Sequence, residues 1–597
     1  MKVARRCFYL ISLLLPLFYL KDLRATFYSG LDWNNQLWLI GYFGEYFRHH
    51  FVMPTEINTS NAVGITIPIF YGTLLYPLIG FVSSFTGASL ALRLSCFVML
   101  AVQFSGIYCA SRSIFRSRLI SYALAITSVW SVYSLTNLYN RSAITEYFAT
   151  GLMMASIGFI FSALLEDKLY GKLNFIWLAA ISTILFLGIH PPTAFIGGIY
   201  FILLGFLLLT FWTKYRLFSV PVLTSVLLLC IILGLCLAPW IYATLTVGPH
   251  LIQWNHPGVI QFFPDRSDSW IGRLSPIPYD KLSNIKPITK VSTPYLETSI
   301  NFGYILILGF LIIIALKDLK LILESKYSFL KQTFISVIGI TLIWITFISL
   351  LSTSRELASH FLFLNQFIQF AYRFVSHINA ALLVLIFSVG VLLKLSDILL
   401  RNKKNLTVIA LFCIGCAGIN LYFKLAHAKS VLIIEDSKEY LLSEDRSNLA
   451  KDGRIGLAHM YATPDKKLLL SESEYKTAVN LNFRVSTSGP DFGAVYTSRI
   501  HLEHSSWVIT NVVTFPWSKI ILNNKELDSK RSSPDGTFIA IFLPKGDSYL
   551  QWHWRANPIW RVLNILSSVS FLLMIVGTLF VLFLTLKRAE TLFSNYD

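Results

Sequence analysis

Asp32 is the first acid after the first long apolar stretch, in Gly30-Leu31-Asp32-Trp33-Asn34-Asn35-Gln36. A carboxylate just outside hydrocarbon, partly desolvated, suits a general base for an acceptor hydroxyl too weakly acidic to attack unaided. Asp is equally a favoured helix cap, so the residue type alone leaves both roles open. Two arginines stand at the mouths of later apolar segments. Arg141 lies in Asn137-Leu138-Tyr139-Asn140-Arg141-Ser142-Ala143-Ile144-Thr145-Glu146, and Arg373 in Ile368-Gln369-Phe370-Ala371-Tyr372-Arg373-Phe374. A guanidinium there can grip a phosphate or neutralise one as it leaves. The structural alternatives are an ion pair between Arg141 and Glu146, and snorkelling of Arg373 to head groups. His190 precedes Pro191-Pro192 at another span end, where a hydrogen-bonded turn histidine is the commoner role. Glu45 and Glu56 read as solvated carboxylates of the first loop, and no second acid stands immediately beside Asp32. No Ser-His-Asp arrangement, His-Glu-x-x-His sequence or metal-ligand spacing is present, so no cofactor or metal is called for.

The elements that must position these residues are membrane spans. Of 597 residues 55% are hydrophobic and 14% charged, with a net charge of +18, and mean hydropathy is +0.60. Apolar stretches of about 20 residues recur, which is the pattern of a polytopic membrane protein. Spans are expected near 7–27, 88–110, 119–136, 143–165, 174–189, 193–213, 217–242, 300–316, 332–351, 375–394, 406–424 and 560–586. The stretch 62–84 is apolar but holds Gly64, Pro68, Gly72, Pro77 and Gly80. If it does not cross, the basic loops around Arg112–Arg118, Lys214, Lys317–Lys331, Lys394–Lys404 and Lys587 all fall on the side of both termini. The positive-inside rule therefore makes 62–84 an outer re-entrant or interfacial hairpin, with twelve spans and both termini cytoplasmic.

That topology puts Asp32, Arg141, Glu146, His190 and Arg373 on the outer face, with the loop 243–299. The cytoplasmic loops are short and lack any nucleotide-binding sequence. The basic excess is topological, and nucleic acid is not an expected partner. Seven cysteines all fall in apolar segments and read as buried thiols. Residues 425–558 change character: short alternating runs such as Asn480–Val485 and Trp507–Val513 are separated by turn signals such as Ser533-Pro534-Asp535-Gly536. They read as an extracytoplasmic antiparallel β-sandwich, tied back to the membrane by a helix within 559–597.

In this order the residues resemble the GT-C superfamily of membrane glycosyltransferases. More narrowly, they resemble the bacterial membrane proteins labelled 6-pyruvoyl-tetrahydropterin synthase-related, with a C-terminal extracytoplasmic β-domain. The resemblance rests on the acid after the first span at Asp32, on Pro68 to Leu78, and on Leu138, Tyr139, Arg141, Ala143 and Glu146. It continues through His190-Pro191 and through Gln369, Phe370 and Arg373, with Ala371 and Tyr372 where the family has Pro and Trp. Phe515-Pro516-Trp517 and Leu543-Pro544-Lys545-Gly546 complete it. It implies a GT-C-like domain over 1–424 in a bacterial inner membrane. It also implies transfer of a sugar from a polyprenyl-phosphate donor to a glycan or lipid-linked acceptor of the cell envelope, such as O-antigen. Asp32 would be the base of an inverting reaction. Arg141 and Arg373 would hold the donor phosphate, with Glu146, His190, Glu56, Tyr139 and Gln369 in support. The alternatives are an envelope protein that binds glycan or lipid through its β-domain without catalysis, and a transporter of lipid-linked sugar. The transporter would want midplane charges and repeat symmetry, which the sequence lacks.

Overall fold

Ten helices among the described residues are long and apolar enough to cross a membrane, so the chain is a helical polytopic membrane protein. The structure is a computed structural model. It describes residues 2–21, 25–27, 31–49, 69, 72–215, 219–247, 299–324, 328–361, 368, 371–434, 466–483, 496–527, 530–536, 538–554 and 556–594. The ten helices fall on ten of the twelve expected spans, and the other two expected spans are shorter apolar helices, Cys7–Leu20 and Phe302–Lys317. Within the stretch 62–84, the described part forms the 12-residue helix Leu75–Thr86. At about 1.5 Å per residue it covers about 18 Å, short of the roughly 30 Å hydrocarbon layer. Its start docks on the end of another span, through Gly72 N–H to the Ile189 carbonyl at 3.0 Å and the Thr73 hydroxyl to the Gly188 carbonyl at 3.0 Å.

The first span departs from the expected 7–27. Its α-helix covers Lys2–Leu14 and continues as a 3-10 helix over Leu15–Lys21. Pro16 offers no N–H for the α-helical ladder, which accounts for the change of helix type there. Ala25–Phe27 then forms a strand, antiparallel to Leu432–Ile434, with Ala25 opposite Ile434. This pair joins the segment before Asp32 to the end of the helix Lys403–Val431. That helix runs a few residues past the expected span end at 424.

Residues beyond 466 form two four-stranded sheets. One orders Tyr496–Leu502, Gly546–Trp554, Ser518–Leu522 and Lys525–Glu526; the other orders Val479–Leu481, Ser506–Val513, Phe538–Leu543 and Arg531–Ser532. Val508, Ile520, Ile541, Leu550 and Trp552 are fully buried, and both sheets feed one apolar core. One pair differs from the antiparallel expectation: Val479–Leu481 runs parallel to Val508–Thr510. Between them the chain passes through Tyr496–Leu502 in the other sheet and returns in its original direction. The domain meets the final helix, Pro558–Ser594, where the Trp517 and Trp560 rings lie 5.2 Å apart.

Three helical segments form the inside of the bundle. The apolar windows of Arg118–Tyr139, Ile144–Leu165 and Ala371–Leu395 are 83–89% buried, against 22% for Val220–Thr246 and Pro558–Val581. Burial on this scale needs close backbone approach. Ala88–Phe115 crosses Ile144–Leu165 at Gly106 and Gly158, where a Cβ on Gly158 would collide with the Gly106 carbonyl. Small residues are what permit such crossings between membrane helices. Gly158→Leu is expected to destabilise the protein by about 1–3 kcal/mol, read as a lower thermal midpoint in detergent. Gly415→Ala, with nothing within 4 Å of the added Cβ, should leave the midpoint level or higher.

Candidate functional site

The site is built where one of the inner segments stops being regular. After the short helix Val132–Leu135 the chain widens into a π-turn over Thr136–Asn140, closed by Arg141 N–H to the Thr136 carbonyl at 3.0 Å. Ser142 then takes a left-handed backbone, φ 53°, and Ile144 begins the next helix. Irregular backbone at membrane depth is tolerated only where protein covers it. Thr136, Asn137, Leu138, Tyr139 and Ser142 are fully buried. The turn therefore points its polar groups into the protein, next to the first turn of Ile144–Leu165.

Glu146 is the centre of what gathers there. Its carboxylate accepts from the Tyr133 hydroxyl and pairs with Arg141 at 2.8 Å, while Arg373 Nε stands 3.5 Å away. Arg141 also donates to the Asn137 side chain at 2.6 Å and lies over the Tyr372 ring at 4.7 Å. Glu146 is 1% exposed, Arg141 8% and Arg373 15%. His190, held to Thr193 at 2.8 Å, and His377 both lie within electrostatic reach of Glu146. At the same π-turn a buried lysine, Lys424, donates to Thr136 Oγ1 at 2.8 Å. With its oxygens engaged by Tyr133, Arg141 and Arg373, Glu146 positions the guanidiniums and is not an available base. Two guanidiniums, from Arg141 and Arg373, thus converge on one place beside this carboxylate. Such a cluster can hold an anion in a place of low dielectric, where charge interactions are strong.

The residues read from the sequence divide into three groups. Arg141, Glu146, His190 and Arg373 come together. They occupy the bundle end opposite Lys394, whose ammonium is bonded to the Ser113 carbonyl at 2.9 Å in the basic loop region. Tyr139 turns away, giving its hydroxyl to the Pro16 carbonyl, and Tyr133 is the tyrosine at Glu146. Asp32 belongs to the first turn of the helix Leu31–His49, inside the helix rather than at its cap. That helix packs on Leu75–Thr86 and touches Ile144–Leu165, the helix of Glu146. The side chains of Asp32 and Glu45, all of Glu56 and Gln369, and the loop residues 248–298 lie outside the described residues. Sequence reasoning missed Tyr133, His377 and Lys424. Each is a polar group inside an apolar run, and that is the signal that could have found them.

A large apolar cavity of about 730 Å³ lies beside these elements. It is bounded by the helices Leu31–His49, Leu75–Thr86, Val220–Thr246 and Pro558–Ser594, with Phe43, Leu78 and Phe571 among its walls. At the start of the C-terminal helix, Trp560 and Arg561 line it. Lower down, the Ser567 hydroxyl bonds the Cys236 carbonyl at 2.7 Å and holds two of the walls together.

Among the described residues no group of three His, Cys, Asp or Glu side chains is placed to hold a metal ion. Comparison of the chain with family models, with curated proteins and with solved structures gives no match.

Removing one partner of a buried ion pair leaves the other uncompensated. Glu146→Gln, which removes the charge that pairs with Arg141, is expected to cost about 3–5 kcal/mol. Tyr133→Phe, which removes one hydrogen bond to a charge, should cost about 1.5–3 kcal/mol. Thermal or denaturant unfolding in detergent checks both, and equal losses would contradict the central place given to Glu146.

Proposed function

We propose that the protein transfers a sugar from a polyprenyl-phosphate donor to an envelope glycan or lipid-linked acceptor, on the outer face of a bacterial inner membrane. The observation that carries this reading is the pair of guanidiniums, Arg141 and Arg373, that converge on the Glu146 carboxylate. Two guanidiniums that converge on one place at the end of a membrane bundle can grip a phosphate through charge-assisted hydrogen bonds. The apolar cavity supports the lipid part, since a bilayer offers apolar chains to fill it.

The chemistry is a single displacement. The acceptor hydroxyl oxygen attacks the anomeric carbon, and the bond from that carbon to the phosphate oxygen breaks with its electron pair going to the phosphate. Asp32 takes the hydroxyl proton, and configuration at the carbon inverts. Negative charge grows on the leaving phosphate as the bond breaks, and Arg141 and Arg373 stabilise it there. Glu146, Tyr133 and Asn137 hold Arg141 in one orientation, so little reorganisation is needed during the step.

The test is mass spectrometry of the surface polysaccharide from strains with the gene deleted and with variants restored. Deletion should remove one sugar substituent. Asp32→Asn should fail to restore it while the protein is present in the membrane. Arg373→Gln should lower transfer by about 10²–10³-fold, the usual loss when one preorganised donor is removed. An unchanged glycan in the deletion strain, or full activity of Asp32→Asn, would sink the reading.

A further inference from the structure

The second sheet of the β-domain carries a polar groove of about 790 Å³ that the transfer chemistry does not use. One rim is the helix Glu472–Thr477, bearing Tyr475, which is 49% exposed. The other is the turn at Ser533–Gly536 with Phe538 beside it. Between them, Asn480 and Asn482 stand exposed on one face of their strand, while Leu481 and Phe483 are buried on the other.

Both rims and the floor are braced. Glu474 closes a capping box with Ser471 and pairs with Arg531 at 2.8 Å, and Arg531 lies over the Trp507 ring at 5.2 Å. The helix bearing Tyr475 is thereby pinned to the sheet. In the opposite rim Gly536 has φ 76°, the Ser533 N–H donates to the Phe538 carbonyl at 2.8 Å, and the Ser533 hydroxyl accepts from the Phe538 N–H at 2.9 Å and donates to Asp535. Under the groove the central strand is bulged. Ile509 pairs with Ala540, but the next pair is Val513 with Phe538, so Thr510, Asn511 and Val512 face Ile539 alone. The Thr510 hydroxyl replaces the missing ladder bond, reaching the Ile539 carbonyl at 2.9 Å. The Asn511 amide bonds both the N–H and the carbonyl of Phe483, at 2.9 and 3.1 Å. Bulges of this kind are found beside sites, where they re-aim side chains.

We propose that this groove binds a neutral saccharide. Asn480 and Asn482 present amides that both donate and accept, as sugar hydroxyls do. Tyr475 and Phe538 present rings on which the C–H face of a sugar can rest. The charged groups of the lining are Glu472, Asp535 and Lys476, two acids to one base, which disfavours a phosphorylated or uronic ligand. A braced groove loses little freedom on binding, which favours a ligand held by few contacts. The inference stands apart from the transferase reading, because it concerns binding with no donor present.

The experiment uses the full chain in lipid nanodiscs, without donor, and measures saccharide affinity by calorimetry. Probes are neutral hexose, deoxyhexose and N-acetylhexosamine oligosaccharides, with oligogalacturonate and a hexose phosphate as charged comparators. At least one neutral series should bind and both charged probes should bind more weakly. Tyr475→Ala, and separately the double variant Asn480→Ala with Asn482→Ala, should each weaken binding by about tenfold or more. These side chains are exposed, so thermal unfolding should be unaltered, which separates lost contact from lost fold. Absence of binding by every neutral probe, preference for a charged probe, or undiminished binding by the double variant would overturn the proposal.

Discussion

A carboxylate buried in protein at the end of a membrane bundle must be paired or removed, and Glu146 is engaged from three directions. Tyr133 reaches it from the segment before the π-turn, Arg141 from the turn itself, and Arg373 from the start of the helix Phe374–Leu395. The three most buried parts of the bundle therefore meet at one anion. The cost of leaving Glu146 uncompensated holds their ends in register in a way that apolar packing alone does not, because apolar side chains have no directional demand. The irregular turn 136–143 follows from the same constraint. A regular helix could not present Asn137, Arg141 and the start of the next helix to one point, and only burial in protein permits the irregularity.

Around this centre the chain is stitched through contacts distant in sequence. The first segment is bonded to Tyr139 through Pro16, and the strand before Asp32 is paired with residues 432–434. The docking of Gly72 and Thr73 on the turn before His190 brings the short helix Leu75–Thr86 to the same end of the bundle. The helix of Asp32 packs on Leu75–Thr86, and both face the apolar cavity. The helix Leu31–His49 thus borders the apolar cavity and also touches Ile144–Leu165, the helix of Glu146. The β-domain enters this arrangement at Trp517 and Trp560, where its fold passes directly into the last helix.

The sequence by itself determined the membrane class, the positions of the ten long apolar helices among the described residues, the presence of a β-rich domain near the C-terminus, and the presence of conspicuous charges at the ends of apolar segments. Each of these follows from local patterns: apolar length, alternation, and the high cost of an ion in hydrocarbon, which makes Arg141, Glu146 and Arg373 conspicuous wherever they stand. Tertiary structure alone decided which spans are inner ones and that Arg141, Glu146 and Arg373 meet, since Ile144–Leu165 and Val220–Thr246 are both apolar enough to cross yet are 83% and 22% buried. It also decided that Tyr133 and not Tyr139 serves Glu146, that Lys424 reaches the π-turn, and that Val479–Leu481 lies parallel to its partner. These are contacts between residues far apart in the chain, and a residue's periodicity reports its own element's exposed and buried faces without naming what covers them.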